Sequence, residues 1–211
     1  MIFSTTVEHF YDEESYKERN LYYKIFAGYM FNELVRGEEQ RMDSFLQLLK
    51  IKALFEEDKT IGTGSIEILE GISKENIQTT FDFHACQIVS TEDRGEMSDI
   101  LLVSNNYFIS IECKYLSDLH FNKDIDEVHN RIEKVAAGKF INKKPLQVLL
   151  IKGEKWKNIK KAEKSDNSFY KQLHTSNKNI PIIVLLWEDL LPIINDEIVI
   201  SYLKKQLERV Y

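Results

Sequence analysis

Three ionisable residues stand near one another in the middle of the sequence, at spacings that suit metal-ion chemistry on a phosphodiester. Residues 98–115 read SDILLVSNNYFISIECKY, with Asp99 opening one apolar segment and Glu112 and Lys114 ending the next. The turn signal Ser104-Asn105-Asn106 predicts a β-hairpin that brings Asp99 and Glu112 side by side. Two carboxylates held close together suit Mg²⁺, which takes one or two protein carboxylates and keeps its other positions for water and phosphate.

Alternation along the second segment predicts which side chains share a face of its strand. Phe108, Ser110, Glu112 and Lys114 fall on one face, so Lys114 would add a positive charge beside the acids. Glu112-Cys113-Lys114 is a Glu-x-Lys triplet, and a second such triplet, Glu57-Asp58-Lys59, occurs in a polar stretch without strand signals. The triplet alone therefore carries little information about function. The competing interpretation is an ordinary amphipathic hairpin whose charged face meets solvent.

Hydrophobic periodicity places this hairpin among other elements of an α/β domain. Helical patterns cover 13–52, as two helices with a break at Gly37, and then 124–139 and 197–210. Strand signals cover 79–90, 99–103, 107–114, 146–151 and 180–187. Residues 56–76 predict a short irregular or helical insert, and a loop and helix are expected between 152 and 174. Because 146–151 and 180–187 are apolar runs, we expect them to be central strands covered by helices on both faces.

In these residues and in this order of elements the chain resembles the PD-(D/E)xK, or restriction-endonuclease-like, nuclease superfamily. Ser98-Asp99 matches the first element of its motif, with serine in place of the usual proline, and Glu112-Cys113-Lys114 matches the second. The order of elements matches its αβββαβ core, a mixed central sheet flanked by helices. The resemblance implies one domain over 1–211, in which Asp99 and Glu112 bind Mg²⁺, or alternatively Mn²⁺, and Lys114 positions or activates the attacking water.

The resemblance also implies a further catalytic glutamate from the first core helix. Glu18 and Glu33 both lie near the face that carries Ile25 and Tyr29, because multiples of three to four residues separate them. We choose Glu18, which lies in the opening turn, within KERNLYYKIF. The alternative is a glutamate that is favoured there by the helix dipole alone.

Positive charge is concentrated in one lysine-rich segment, residues 139–178. It holds eleven lysines against three acids, although the whole chain has a net charge of −6, which argues against a protein that coats nucleic acid. Trp156, Phe169 and Tyr170 are interleaved with the lysines, a composition typical of surfaces that contact phosphates and stack bases. The alternative is a solvated helix face. The nucleic-acid-binding residues that we predict are Lys155, Lys157, Lys160 and Lys161.

Composition predicts one well-buried cytoplasmic domain. The 211 residues, 43% of them hydrophobic, suffice for one such core. The sequence has neither a run of 18 apolar residues nor an N-terminal basic region followed by an apolar run, so we expect no membrane span and no signal peptide. Cys86 and Cys113 fall in strand-like segments, where each is expected to be a small buried hydrophobe rather than half of a disulfide.

Together these features predict a Mg²⁺-dependent endonuclease that hydrolyses phosphodiester bonds, in DNA in preference to RNA. A homodimer would suit double-strand cleavage. The sequence also leaves open a catalytically inactive member of the same fold that binds nucleic acid or a protein partner. An unrelated α/β interaction module would be favoured instead if Asp99 and Glu112 faced opposite sides of the sheet.

Overall fold

A computed structural model describes residues 25, 29, 40–75, 77–81, 99–115, 142–162, 171, 173 and 180–208. The helices are α1 (Gln40–Phe55), α2 (Ser65–Ile72), α3 (Gly153–Lys161) and α4 (Glu197–Leu207), with 3₁₀ helices at Glu57–Lys59 and Trp187–Ile193. The strands are β1 (Thr60–Ile61), β2 (Gln78–Phe81), β3 (Ile100–Val103), β4 (Tyr107–Lys114), β5 (Lys144–Ile151) and β6 (Ile182–Leu186). The helix predicted over 124–139 lies outside the described residues.

A mixed six-stranded sheet organises the described part of the chain, in the order β1-β6-β5-β4-β3-β2. The strands β4, β5 and β6 are parallel, whereas β1, β2 and β3 each pair antiparallel with a neighbour. Parallel strands are normally buried on both faces, which explains why β5 and β6 consist mostly of apolar residues. The predicted α/β class with a mixed sheet and flanking helices is therefore confirmed.

Apolar side chains cover both faces of the sheet. On one face the core includes Phe45 of α1, Leu69 of α2 and Tyr202 of α4, all of them buried. On the other face Trp156 of α3 packs in a cluster with Leu149 of β5 and with Ile182 and Val184 of β6. The parallel strands therefore lie between helices, as their composition predicts.

The hairpin predicted from the turn signal is present as β3 and β4. Its register pairs Ile100 with Ile111 and Val103 with Phe108. Side chains on both faces of these strands are buried, so a slip by one residue would exchange the sets of side chains that pack on the two faces.

The turn of this hairpin is anchored to the end of α2. The Ser104 N–H donates to the Tyr107 carbonyl at 2.9 Å, which closes the turn. The Glu75 carboxylate accepts from the Asn106 backbone N–H at 3.1 Å and from its side-chain amide at 2.7 Å. Hydrogen bonds from Ser104 and Asn106 lower the pKa of Glu75. The turn is therefore held by tertiary contacts as well as by its own sequence.

The strands β5 and β1 differ from the prediction. The strand β5 begins at Lys144, so Pro145 lies inside it rather than before it. Proline is tolerated there because β6 pairs with β5 from Gln147 onward, so the ring does not interrupt that ladder. The strand β1 was not predicted, because two residues are too short to display an alternating pattern. The helical part of the predicted insert is α2.

The hydrophobic core also includes residues from outside the strands. Ile25, Tyr29 and Trp187 are all buried in it. Cys113 is buried, as predicted, while Cys86 lies outside the described residues. Within the described ranges, every helix is too short or too polar to cross a membrane.

Candidate functional site

The candidate site lies at one edge of the sheet, where the three parallel strands end. Lys114, Ile151 and Leu186 form a row across this edge, as the last residues of β4, β5 and β6. The strand β3 begins at the same edge because it runs antiparallel to β4. In open α/β sheets, ligands commonly bind outside the carboxyl ends of the strands.

Asp99 immediately precedes β3 and continues its register by one residue, opposite Glu112. Residues directly opposite each other on antiparallel strands share a face of the sheet. One carboxylate oxygen of Asp99, Oδ2, accepts the backbone N–H of Cys113 at 2.8 Å. Since Cys113 stands between Glu112 and Lys114, this hydrogen bond holds the Asp99 carboxylate against the part of β4 that carries the other two side chains.

Glu112 and Lys114 form an ion pair on the same face of β4. The Lys114 Nζ lies 3.0 Å from the Glu112 Oε1, and the two side chains are 14% and 12% exposed, respectively. Charges interact more strongly where water is largely excluded. The structure therefore brings Asp99, Glu112 and Lys114 together, with an ammonium group held beside a carboxylate at the sheet edge.

The donor set at this edge fits a hard, oxygen-binding cation. Carboxylates are the donors that Mg²⁺ prefers, and the ion needs one or two of them. The described ranges contain no group of three or more His, Cys, Asp or Glu side chains that could hold a metal ion, so this donor set consists of Asp99 and Glu112. Glu18, the predicted third acid, lies outside the described residues, as does Glu33.

The four predicted nucleic-acid-binding lysines lie on α3. Leu149, which packs with Trp156, is also the partner of Glu112 across β4 and β5, so α3 covers the face of the sheet that carries Glu112. The helix starts at the same edge and extends about 12 Å away from it. Lys155 and Lys160 are half-buried, whereas Lys157 and Lys161 are exposed.

Lys152, which belongs to the lysine-rich segment and directly precedes α3, is buried. Its ammonium lies 5.8 Å from the ring centroid of Tyr115 and 3.9 Å from the Glu154 carboxylate. The Tyr115 ring in turn meets Trp187 edge-on, with the ring centroids 6.1 Å apart. A lysine directly after a buried strand is drawn into the core by its aliphatic stem and by aromatic neighbours.

The two acids after β6, Glu188 and Asp189, act as helix-capping groups. Both carboxylate oxygens of Glu188 accept the Gly153 N–H, at 3.1 and 2.9 Å, which caps the start of α3. Asp189 accepts the Leu186 N–H at 2.9 Å and so caps the 3₁₀ helix that follows β6. These acids are therefore structural, although they lie near the candidate site.

Sequence reasoning missed Gln147, a buried side chain on the face that carries Glu112. It is the partner of Ser110 across β4 and β5, and both residues are fully buried. The available signal was a lone amide within the apolar run from Leu146 to Ile151. A polar residue at a core position is an exception that requires a physical or functional reason.

In comparisons with known proteins, no protein-family model, no curated protein and no solved structure matches this chain. A function therefore has to be inferred from the geometry of its own residues.

Proposed function

We propose that this chain is a Mg²⁺-dependent endonuclease with a restriction-endonuclease-like core, which hydrolyses phosphodiester bonds in DNA. The observation that carries the proposal is the grouping of Asp99, Glu112 and Lys114 on one face at the carboxyl edge of parallel strands. The hydrogen bond from Cys113 to Asp99 supports it, because that bond holds a carboxylate at a fixed place beside Glu112.

Each of the three side chains has a distinct role in this proposal. Asp99 and Glu112 hold the metal ion with their carboxylate oxygens. A bound Mg²⁺ supplies a more acidic water and neutralises charge on the phosphate. Lys114 donates a hydrogen bond to the attacking oxygen or to the phosphate, where a preorganised positive charge stabilises developing negative charge. Its ion pair with Glu112 keeps the ammonium at the same end of β4.

The positive charge of α3, on the face of the sheet that carries Glu112, supports a nucleic acid as the proposed substrate. Lysines of α3 begin beside the site and continue along the helix, so they can follow a phosphate backbone that runs from the reaction centre. DNA is the proposed substrate, and a homodimer with two such sites would cut both strands. We place the protein in the cytoplasm, where Mg²⁺ and DNA are both available.

The test measures nicking of supercoiled plasmid DNA by the purified full chain with Mg²⁺ or Mn²⁺. Asp99→Ala, Glu112→Ala and EDTA should each abolish cleavage, since they remove the metal ion or its ligands. Lys114→Ala should lower the cleavage rate by about 100-fold or more, with a smaller effect on Mn²⁺ affinity. Circular dichroism should show that the variants remain folded.

The matched control is an ion pair at the opposite end of β5, between Lys144 and Glu67. Their charged atoms are 2.5 Å apart and both side chains are well exposed. Glu67→Ala and Lys144→Ala should retain full activity. Undiminished cleavage by Glu112→Ala would refute the proposed site. Metal-independent DNA binding without cleavage, unchanged in Asp99→Ala, would instead identify a catalytically inactive nucleic-acid-binding protein.

A further inference from the structure

Gln147 is a fully buried amide in the middle of β5. Among the described residues, neither its side-chain nitrogen nor its side-chain oxygen has a hydrogen-bonding partner. Burying such a group without partners destabilises a protein, whereas an apolar residue of the same shape carries no such cost. Gln147 is therefore expected to have a function that offsets its unfavourable burial.

The position of Gln147 relates it to the candidate site. It is the partner of Ser110, while Leu149, two residues further along β5, is the partner of Glu112. Alternation thus puts Gln147, Ser110 and Glu112 on one face of the sheet. The Cα atoms of Gln147 and Glu112 are separated by one strand spacing and two residues, which amounts to about 8 Å.

The neighbours of Gln147 differ between the two adjoining strands. On the β6 side its partner is Ile182, which offers no polar side chain. On the β4 side lie the Ser110 hydroxyl and, beyond it, the Glu112 carboxylate. Of its neighbours on the two adjoining strands, the polar ones therefore lie on the β4 side, which also carries the candidate site.

We propose that Gln147 is a positioning residue, which binds a water molecule that also hydrogen-bonds the Glu112 carboxylate. This inference rests on the proposed function. A buried water needs two to four polar partners, and Gln147, Ser110 and Glu112 can supply them. Through this water Gln147 holds Glu112 in the orientation that binds the metal ion, as outer-shell groups do for other metal ligands.

The test replaces Gln147 with methionine, which preserves the length of the side chain and removes its amide. The matched control is Leu149→Met, at the next position of β5 on the same face. Mn²⁺ binding to the metal-free full chain is measured by calorimetry, and thermal unfolding is measured without metal. Gln147→Met should weaken Mn²⁺ binding by about tenfold or more. Its melting temperature should equal or exceed that of wild type, because a buried amide has been removed.

Leu149→Met should retain wild-type Mn²⁺ affinity, which shows that repacking near the site is not sufficient. Wild-type Mn²⁺ affinity in Gln147→Met would overturn the inference. Weakened Mn²⁺ affinity in both methionine variants, with an equal loss of stability in the two, would also overturn it. Glu112→Ala distinguishes this failure from failure of the proposed function. If Glu112→Ala loses Mn²⁺ binding and Gln147→Met does not, the metal site stands and the role of Gln147 is wrong. If Glu112→Ala binds as wild type, the proposed function itself fails.

Discussion

At the scale of single residues, charged side chains other than those of the candidate site have a structural role. Lys52 of α1 pairs with Glu56 and, at 2.8 Å, with Asp189. Lys59 lies 2.5 Å from Glu56 and 3.9 Å from Asp189. Both lysines are buried. The second Glu-x-Lys triplet of the sequence therefore contributes its lysine to an internal ion-pair network that joins α1 to the segment after β6.

This network predicts an acid-dependent loss of stability. Burial alone would raise the pKa of Glu56, but hydrogen bonds from Lys52 and Lys59 outweigh burial and lower the pKa below its ordinary value of 4.5. A carboxyl group whose pKa is lower in the folded state stabilises the protein above its unfolded-state pKa, and this contribution disappears as the pH falls through the folded-state value. Glu56→Gln should therefore lower the free energy of unfolding by about 1–3 kcal/mol at pH 7.

Urea denaturation at pH 7 and at successively lower pH checks this prediction. The difference between wild type and Glu56→Gln should shrink as the pH falls below 4.5, the ordinary pKa of the group. Glu57 is the matched control, because it is the next acid in the chain and is exposed. Glu57→Gln should change the free energy of unfolding by less than about 0.5 kcal/mol. A pH-independent difference for Glu56→Gln would mean that the ion pairs contribute no net stability.

At the scale of elements, α3 determines how the candidate site would meet a phosphate backbone. Trp156 fixes the helix on the sheet, and the four lysines lie beside or opposite this buried contact. Neutralising Lys155, Lys157, Lys160 and Lys161 to glutamine should flatten the dependence of log affinity on log salt. Each lost phosphate contact reduces the slope by about 0.9 on duplex DNA. Fluorescence anisotropy with a labelled duplex in Ca²⁺ measures this slope without cleavage.

A control variant with the same change of net charge separates a local effect from a general one. Four lysines on other elements serve this purpose, and all can be replaced by glutamine together: Lys50, Lys74, Lys204 and Lys205. This control should leave the salt dependence nearly unchanged. An equal reduction of the salt dependence in both variants would show that total charge causes the effect. The lysines of α3 would then be ordinary surface residues.

At the scale of the whole molecule, a contact between distant residues joins the beginning of the described chain to its end. The Tyr29 hydroxyl donates to the Asn195 side-chain carbonyl and accepts the Asn195 N–H at 2.8 Å, across 166 residues of sequence. The Arg41 guanidinium lies 4.0 Å from the centroid of the Tyr29 ring, and Arg41 also donates to the Tyr29 carbonyl at 3.2 Å. Tyr29 is thereby tied to the segment that directly precedes α4.

Removing this link should destabilise the whole domain in one step. Tyr29→Phe keeps the buried ring but removes the hydroxyl that makes both hydrogen bonds with Asn195, so the free energy of unfolding should fall by about 1–3 kcal/mol. Urea denaturation followed by near-UV and far-UV circular dichroism should show one coincident transition for both probes. Separate transitions would show that the N-terminal part folds independently, contrary to the single domain predicted over 1–211.

The sequence by itself determined the elements whose signals are local. The hairpin of β3 and β4 was predicted to within one residue, because its turn residues and alternating side chains act over a few positions. Apolar runs predicted the strands β5 and β6, and an amphipathic pattern predicted α4. The side-by-side placement of Asp99 and Glu112 followed from the hairpin register alone. In this chain, the candidate site is thus largely a local structure.

The tertiary structure decided what depends on residues far apart in the chain. The order of the sheet, the two-residue β1, the burial of Lys152 and the partners of Lys59 each require contacts across long stretches of sequence. The burial of Gln147 beside Ser110 also depends on distant residues, because it arises only when β5 pairs with β4. Local propensity specifies which backbone conformation a segment adopts, whereas burial and charge pairing depend on which other segments enclose it.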